Sequence, residues 1–286
     1  MLLDYHMHLQ SDFDYTPFTY DLANLDQYLA QARQRGITEI GISEHCHRFR
    51  EFKPLLFFLT EEPGAYPVVQ NFLRPAFRDH LPQYIDFLER VKASGRPVKA
   101  GLEVDYIEGQ SERLASILAG TTFDYLLGSV HFVGKWAVDI EDEATWNERG
   151  ANRIFLEYFQ TWANACASGL FDIMTHPDLP KKFNHRPSSS LWQELTAMAA
   201  EAAAKAKVAI EVNSAGLRKP VGEIYPDQQL LQAFCRAGVP IAFGSDAHQS
   251  HEAGMDIDRA SVWAVQAGYT TVTRFSTRRP TQVPIG

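Results

Sequence analysis

The sequence predicts an α/β domain with parallel strands, and three observations carry that expectation. Short strand-like runs alternate with helix-like stretches along most of the chain, the pattern of a parallel sheet covered by helices. Each helix-like stretch stops at a glycine or runs straight into the next strand. At 286 residues, with 45% hydrophobic, 12% aromatic and 22% charged residues, the chain can bury a sizeable core, which excludes disordered and fibrous classes. One domain over residues 1–286 is expected, because α/β barrels commonly run to about 200–250 residues or more as one unit.

Strands are expected over 2–8, 38–43, 98–104, 125–131, 171–176, 208–213 and 240–245, with a weaker one near 269–274. Helices are expected over 25–35, closed by Gly36; over 81–94, with Leu81, Ile85, Leu88 and Val91 on one face; over 152–168, closed by Gly169; and over the alanine-rich 191–206. Residues 46–78 and 132–150 break the rhythm and read as lids or binding loops. The second carries Trp136, Trp146 and the acids Asp139, Glu141, Asp142, Glu143 and Glu148. No low-complexity tract, fixed-period repeat or domain boundary is visible.

Lys plus Arg number 27 against 35 Asp plus Glu, a net charge of −8. That is the wrong sign for sequence-independent binding to nucleic acid or to an anionic membrane. Cys46, Cys166 and Cys235 form no CxxC pattern, and an odd number suits a reducing cytoplasm better than a disulfide framework. Met1 runs directly into LLDYHMH, and the longest apolar run is 55–59, so neither a signal peptide nor a membrane span is expected.

The informative feature is what stands at the end of each expected strand. In order these are His6 and His8, Glu44 and His45, Glu103 and Asp105, His131, His176 and Asp178, Glu211 and Asn213, Asp246 and His248. In a parallel barrel such ends converge on one face, where loops from different strands build a site. A set of imidazoles and carboxylates without thiolate is ligand chemistry for Zn, Mn or Fe. Any one of these residues alone is more often structural. Seven polar strand ends in succession are hard to explain that way, because lone buried acids and histidines are costly.

The segments DYHMHLQSD near the start, GISEH at 41–45, GLEVD at 101–105, GSVHF at 128–132, THPDLPKKF at 175–183, EVNSAGLRKPVGEIYP at 211–226 and GSDAH at 244–248 resemble the polymerase and histidinol phosphatase (PHP) superfamily, and within it the monofunctional histidinol-phosphate phosphatases. The resemblance covers the chain from Asp4 to about His248. It implies a distorted barrel of seven βα units with a metal site at the C-terminal ends of the strands, the weak strand near 270 being peripheral. It also implies two or three divalent ions (Zn, Mn or Fe). His6, His8 and Asp246 would hold the first; Glu103 would bridge it to a second on His131 and His176; His45 and His248 would hold a third with Asp14 or Asp12, where many relatives have a histidine. Glu103, Asp246 and His248 are the expected catalytic centre. A bridging carboxylate suits this role because it brings two cations to about 3.5–4 Å. Asp4 is expected to support the ligands or to cap the strand entrance.

Arg186 and Arg218 are the expected phosphate-binding residues, a guanidinium being a planar fork suited to a phosphate monoester. Arg48, Lys181, Lys182 and Lys219 also follow strand ends, but cations in loops usually face water. His47 and His185 read as surface histidines, with a substrate contact or a general acid as the alternative, His80 and His251 as structural, and Cys46 as a small apolar filler. The 132–150 segment, with its tryptophans and acids, reads as a lid for an amine-bearing substrate or as an ordinary surface loop. The expected activity is hydrolysis of L-histidinol phosphate, a small-molecule substrate, in the cytoplasm without nucleic-acid or membrane partners. The alternatives are a related phosphoesterase acting on another small phosphate or nucleotide, and a non-catalytic PHP module.

Overall fold

The computed structural model describes residues 1–11 and 13–286, and Asp12 lies outside the described residues. The strands, in chain order, are β1 (Leu2–Asp4), β2 (Ile37–Ile42), β3 (Val98–Ala100), β4 (Glu103–Asp105), β5 (Leu127–Ser129), β6 (Phe132–Val133), β7 (Trp136–Ala137), β8 (Ile173–Met174), β9 (Ala209–Asn213), β10 (Ile241–Gly244), β11 (Thr271–Ser276) and β12 (Arg279–Pro284). Among the described residues β1-β2-β3 form one sheet and β10-β9-β8-β5-β4 another, every neighbour parallel.

Backbone hydrogen bonds join the edges of the two sheets. On one side Tyr5 N donates to Phe243 O (2.9 Å), Asp246 N to His6 O (2.7 Å) and His8 N to Ala247 O (2.7 Å). On the other, Gly101 N donates to Ile42 O (2.8 Å) and Glu103 N to Glu44 O (3.0 Å). These links explain why the expected strand 2–8 stops at Asp4 and the expected strand 98–104 divides into β3 and β4. The chain continues past each break, but its hydrogen bonds pass to the neighbouring sheet instead of along one ladder.

The expected helices are present as Leu22–Gln34, Leu81–Ala93, Ala151–Ala167 and Ser189–Ala206. The first and last start where Asp21 and Ser188 accept from backbone N–H groups in the first turn. Helices Ser111–Leu118, Gln228–Arg236 and Ile257–Ala267 were not anticipated. Residues 46–78 are not an open loop, since short helical turns fill Cys46–Thr60 and a further helix covers Pro67–Leu73. Leu55, Leu56, Leu59, Val69 and Leu73 are fully buried there, so this insertion packs into the core.

Residues 132–150 also differ from the loop reading: β6 and β7 form an antiparallel hairpin, followed by helix Glu143–Arg149. Trp136 and Trp146 belong to the core, at 0% and 3% exposure, because their rings pack edge to face and the Trp136 indole N–H has Asp142 to donate to. The weak strand near 270 is β11, paired antiparallel with β12 in a separate hairpin. No helix among the described residues is long and apolar enough to cross a membrane.

Candidate metal centre

The strand ends meet at Glu103. Because successive side chains along extended chain point to opposite faces, His6 and His8 project together, and both are wholly buried, as Glu103 nearly is at 1% exposure. Glu103 Oε2 lies 2.6 Å from His45 Nδ1, 3.2 Å from His6 Nε2 and 3.4 Å from His8 Nε2. Its Oε1 lies 3.4 Å from His176 Nε2 and 3.7 Å from His131 Nε2, and accepts from Ser129 Oγ at 2.6 Å. Asp246 Oδ1 is 3.6 Å from the Nε2 atoms of both His6 and His8, and His45 and His248 bring their Nε2 atoms within 3.3 Å.

Among the described residues three groups with metal-ligand spacing result: His6, His8 and Glu103; Glu103, His131 and His176; His8, His45 and His248. The residues fit a metal by an independent observation. Among the described residues, His6 Nε2, both ring nitrogens of His8 and Glu103 Oε2 are buried and complete no hydrogen bond, whereas buried polar atoms are otherwise nearly always satisfied. Converging imidazole nitrogens and carboxylate oxygens are a donor set for Zn, Mn or Fe.

Among the described residues, all the expected ligands but Asp14 are therefore brought together. Asp14 is exposed and accepts from Thr16 N (3.0 Å) and Thr16 Oγ1 (2.6 Å), contacts that hold its carboxyl down at about 2. It belongs to none of the three groups, and His8 joins His45 and His248 instead. Asp12 cannot be placed, lying outside the described residues.

The surrounding contacts orient the imidazoles, and sequence reading had given most of them no role. Glu211 Oε1 lies 2.7 Å from His6 Nδ1, while its Oε2 accepts from His176 N and Asn213 Nδ2, each at 2.9 Å. One carboxylate thus turns the Nε2 of His6 toward Glu103 and fixes the backbone of His176. Gly244 makes room for it, since a Cβ there would stand 1.9 Å from Glu211 Oε1 and 2.7 Å from His6 Cβ. Asp105 Oδ1 orients His131 through Nδ1 at 2.7 Å, and Cys46 Sγ, more than a filler, lies 3.3 Å from Asp105 Oδ2. The signal available in sequence covers Asp105, which stands two positions after Glu103 and so on the same face of extended chain, whereas Glu211 has no ligand two positions away.

Asp4 braces the loop rather than an imidazole, accepting from Ser245 N (2.8 Å), Ser245 Oγ (2.6 Å) and Gly254 N (2.9 Å). Burial pushes its carboxyl up to about 6 against those bonds. His176 (φ 24°) and Asp246 (φ 52°) hold left-handed backbone without being glycine, local strain of the kind that collects at functional sites.

Charge is concentrated here. Burial alone would push the Glu103 carboxyl up, but the imidazoles of His6 and His45 hold it well below the ordinary range. Burial opposes protonation of His6, yet Glu211 and Glu103 raise it well above the usual imidazole value. His8 goes the other way, lowered by burial and by His45 and His248. Asp105 outweighs burial at His131 and lifts it to about 9.

Beside the cluster is a cavity of about 210 Å³ whose lining includes His45, His131, Phe72, Asp139, Glu141 and Lys219. Two acids of the 132–150 segment line it, while the tryptophans do not. His47 also lines it and is only 5% exposed, so the surface reading fails there, its ring packing on His45 and Phe72. Arg218 Nη2 donates to Ser245 O at 2.7 Å, next to Asp246, and its Nη1 is buried without a partner among the described residues. Arg186 donates to Glu223 Oε1 (3.0 Å) and to the carbonyls of Lys181 and His185.

Parallel sheets with a buried imidazole and carboxylate centre define the class, an α/β protein whose polar strand ends converge. The chain belongs to the PHP domain family, whose model matches residues 5–215. It is 36% identical over 199 residues to a Deinococcus radiodurans protein named "Probable histidinol-phosphatase", covering 68% of this chain and 75% of that one. It is 26% identical over 260 residues to the histidinol-phosphatase of Bacillus subtilis, covering 84% and 93%. The fold matches the crystal structure of histidinol phosphate phosphatase from Lactococcus lactis complexed with zinc, L-histidinol and phosphate, at a TM-score of 0.75, 21% identity and 98% coverage of both chains. Asp246 and His248 lie beyond the residues that the family model matches, and the geometry above links them to the cluster.

Proposed function

We propose that this chain hydrolyses L-histidinol phosphate to L-histidinol and phosphate, as one domain spanning residues 1–286 that works in the cytoplasm with two or three divalent ions (Zn, Mn or Fe). The observation that carries the reading is Glu103, a buried carboxylate facing five imidazoles whose nitrogens include unsatisfied ones. The names of the relatives supply the substrate. The hydrogen bonds along both seams between the sheets support a distorted barrel of seven strands, with β3 and β4 as one interrupted strand and the metals at its C-terminal mouth.

In this reading His6, His8 and Asp246 would hold one ion, Glu103 would be shared with a second on His131 and His176, and His45 and His248 would take part in a third site. Ions at such positions polarise phosphate oxygens and make water acidic enough to attack at neutral pH. The chain's own residues do the rest. Glu211 and Asp105 fix the tautomers of His6 and His131. Arg218, through its unpartnered Nη1, binds the phosphate, and Arg186 flanks it from the Glu223 side. Asp139 and Glu141, in the adjoining cavity, face the ammonium and imidazole of the alcohol.

Phosphate release from a panel of monoesters tests this. The expected result is a higher kcat/KM for histidinol phosphate than for p-nitrophenyl phosphate. The reverse order would overturn the substrate assignment and leave a general metal-dependent phosphoesterase.

A further inference from the structure

Tyr225 differs from the other buried phenols of this protein. Tyr5, Tyr84, Tyr125 and Tyr269 donate to Glu39 Oε1, Gly101 O, Tyr5 O and Val239 O at 2.5, 2.8, 2.6 and 2.9 Å. The Tyr225 hydroxyl, on a side chain only 2% exposed, has no partner among the described residues. A buried donor left without an acceptor is costly, so such groups mark places where a ligand supplies the acceptor.

The ring is held firmly. Tyr225 N donates to Asn213 O at 3.0 Å and Asn213 N to Tyr225 O at 2.7 Å, and the Asn213 side chain is bonded to Glu211, the residue that orients His6. Gly216 gives way to the ring, since a Cβ there would lie 2.8 Å from Tyr225 Cε2. The ammonium of Lys181 stands 5.2 Å from the ring centre, and the His176 ring 6.4 Å. A phenol ordinarily titrates at about 10, so at neutral pH the hydroxyl keeps its proton and is a donor. Asp246 faces the cluster and Asp139 lines the cavity beside it. The ring therefore stands beside His176, at the edge of the cluster.

We propose that Tyr225 is a further catalytic residue, whose hydroxyl donates a hydrogen bond to the ester oxygen of the substrate as the phosphorus–oxygen bond breaks. The proposal rests on the phosphomonoesterase reading above. A water oxygen bonds to phosphorus, the ester P–O bond breaks, and its electron pair goes to the alcohol oxygen. That oxygen ends with a proton from the attacking water, while the Tyr225 proton stays in place and stabilises the charge in passing. An alkoxide needs this help more than p-nitrophenolate, which spreads its own charge.

The test is Tyr225→Phe, assayed on histidinol phosphate and p-nitrophenyl phosphate, with metal content and Tm measured alongside. The expected result is a kcat/KM about 10- to 100-fold lower for histidinol phosphate, and less than about threefold lower for p-nitrophenyl phosphate because its leaving group is good. Metal content should match the wild type, and Tm should not fall, because the deleted oxygen bonds to nothing among the described residues. Equal losses on both esters, no loss on either, or a lowered Tm would overturn the proposal. A wild-type enzyme inactive on histidinol phosphate would instead overturn the functional reading beneath it.

Discussion

Tyr5 and His6 are neighbours in sequence and serve two regions that bury polar groups in opposite ways. Tyr5 donates to Glu39 Oε1 at 2.5 Å, and Arg274 of the C-terminal hairpin clamps the same carboxylate through Nε (3.1 Å to each oxygen) and Nη2 (2.6 Å). Every charge there has its partner within the chain. His6 turns instead into the Glu103 cluster, where among the described residues Nε2 of His6, Nε2 of His8 and Oε2 of Glu103 complete no hydrogen bond despite standing close together. The first arrangement stabilises the fold. The second leaves its energy to be recovered by what binds, so damage to the two regions should separate stability from activity.

Glu103→Ala breaks the comparison most severely. It removes the one carboxylate that all five imidazoles face, so metal content should collapse and activity should fall by about 1,000-fold or more. Near-normal turnover in this variant would show that the bridging assignment is wrong.

Glu211→Gln is a smaller change. The amide cannot present two acceptor oxygens to His6 Nδ1 and His176 N at once, and metal affinity should drop about 10- to 100-fold, as for other residues that orient metal-binding imidazoles. Gly244→Ala should act in the same way, because its methyl group would occupy the place of Glu211 Oε1. Competition with a chelator measures both, and unaltered affinity in both would show that Glu211 does not orient the site.

Glu39→Ala tests the other region. It strands the buried Tyr5 hydroxyl and should lower stability by about 1–3 kcal/mol, while kcat/KM of the folded enzyme stays within about twofold. Denaturant unfolding and steady-state kinetics read the two effects. A loss of activity without a loss of stability would erase the distinction between the regions.

How much of this was legible in the sequence follows from how local each signal is. The alternation of strands and helices, and the polar residue at each strand end, are written in short stretches, so the parallel α/β fold and the residues around Glu103 could be read before the structure. Glu211 could not be given a role, because its partner His6 is 205 positions away and a strand-end carboxylate has no sequence mark that separates ligand from orienter. Trp136 and Trp146 misled because an acidic segment looked like a surface loop; the hairpin and helix Glu143–Arg149 that bury them depend on contacts outside the segment. Asp14 looked well spaced for a ligand, but its carboxylate turns back on Thr16 two residues later.

The most direct test of the account is the metal content of the purified wild-type protein, measured by elemental analysis before and after chelation, with phosphatase activity followed as Mn, Zn or Fe is returned. Two or more transition-metal ions per chain, activity lost on chelation and activity regained on reloading are the predicted result. Less than one ion per chain, with no activation by any of the three metals, would contradict it.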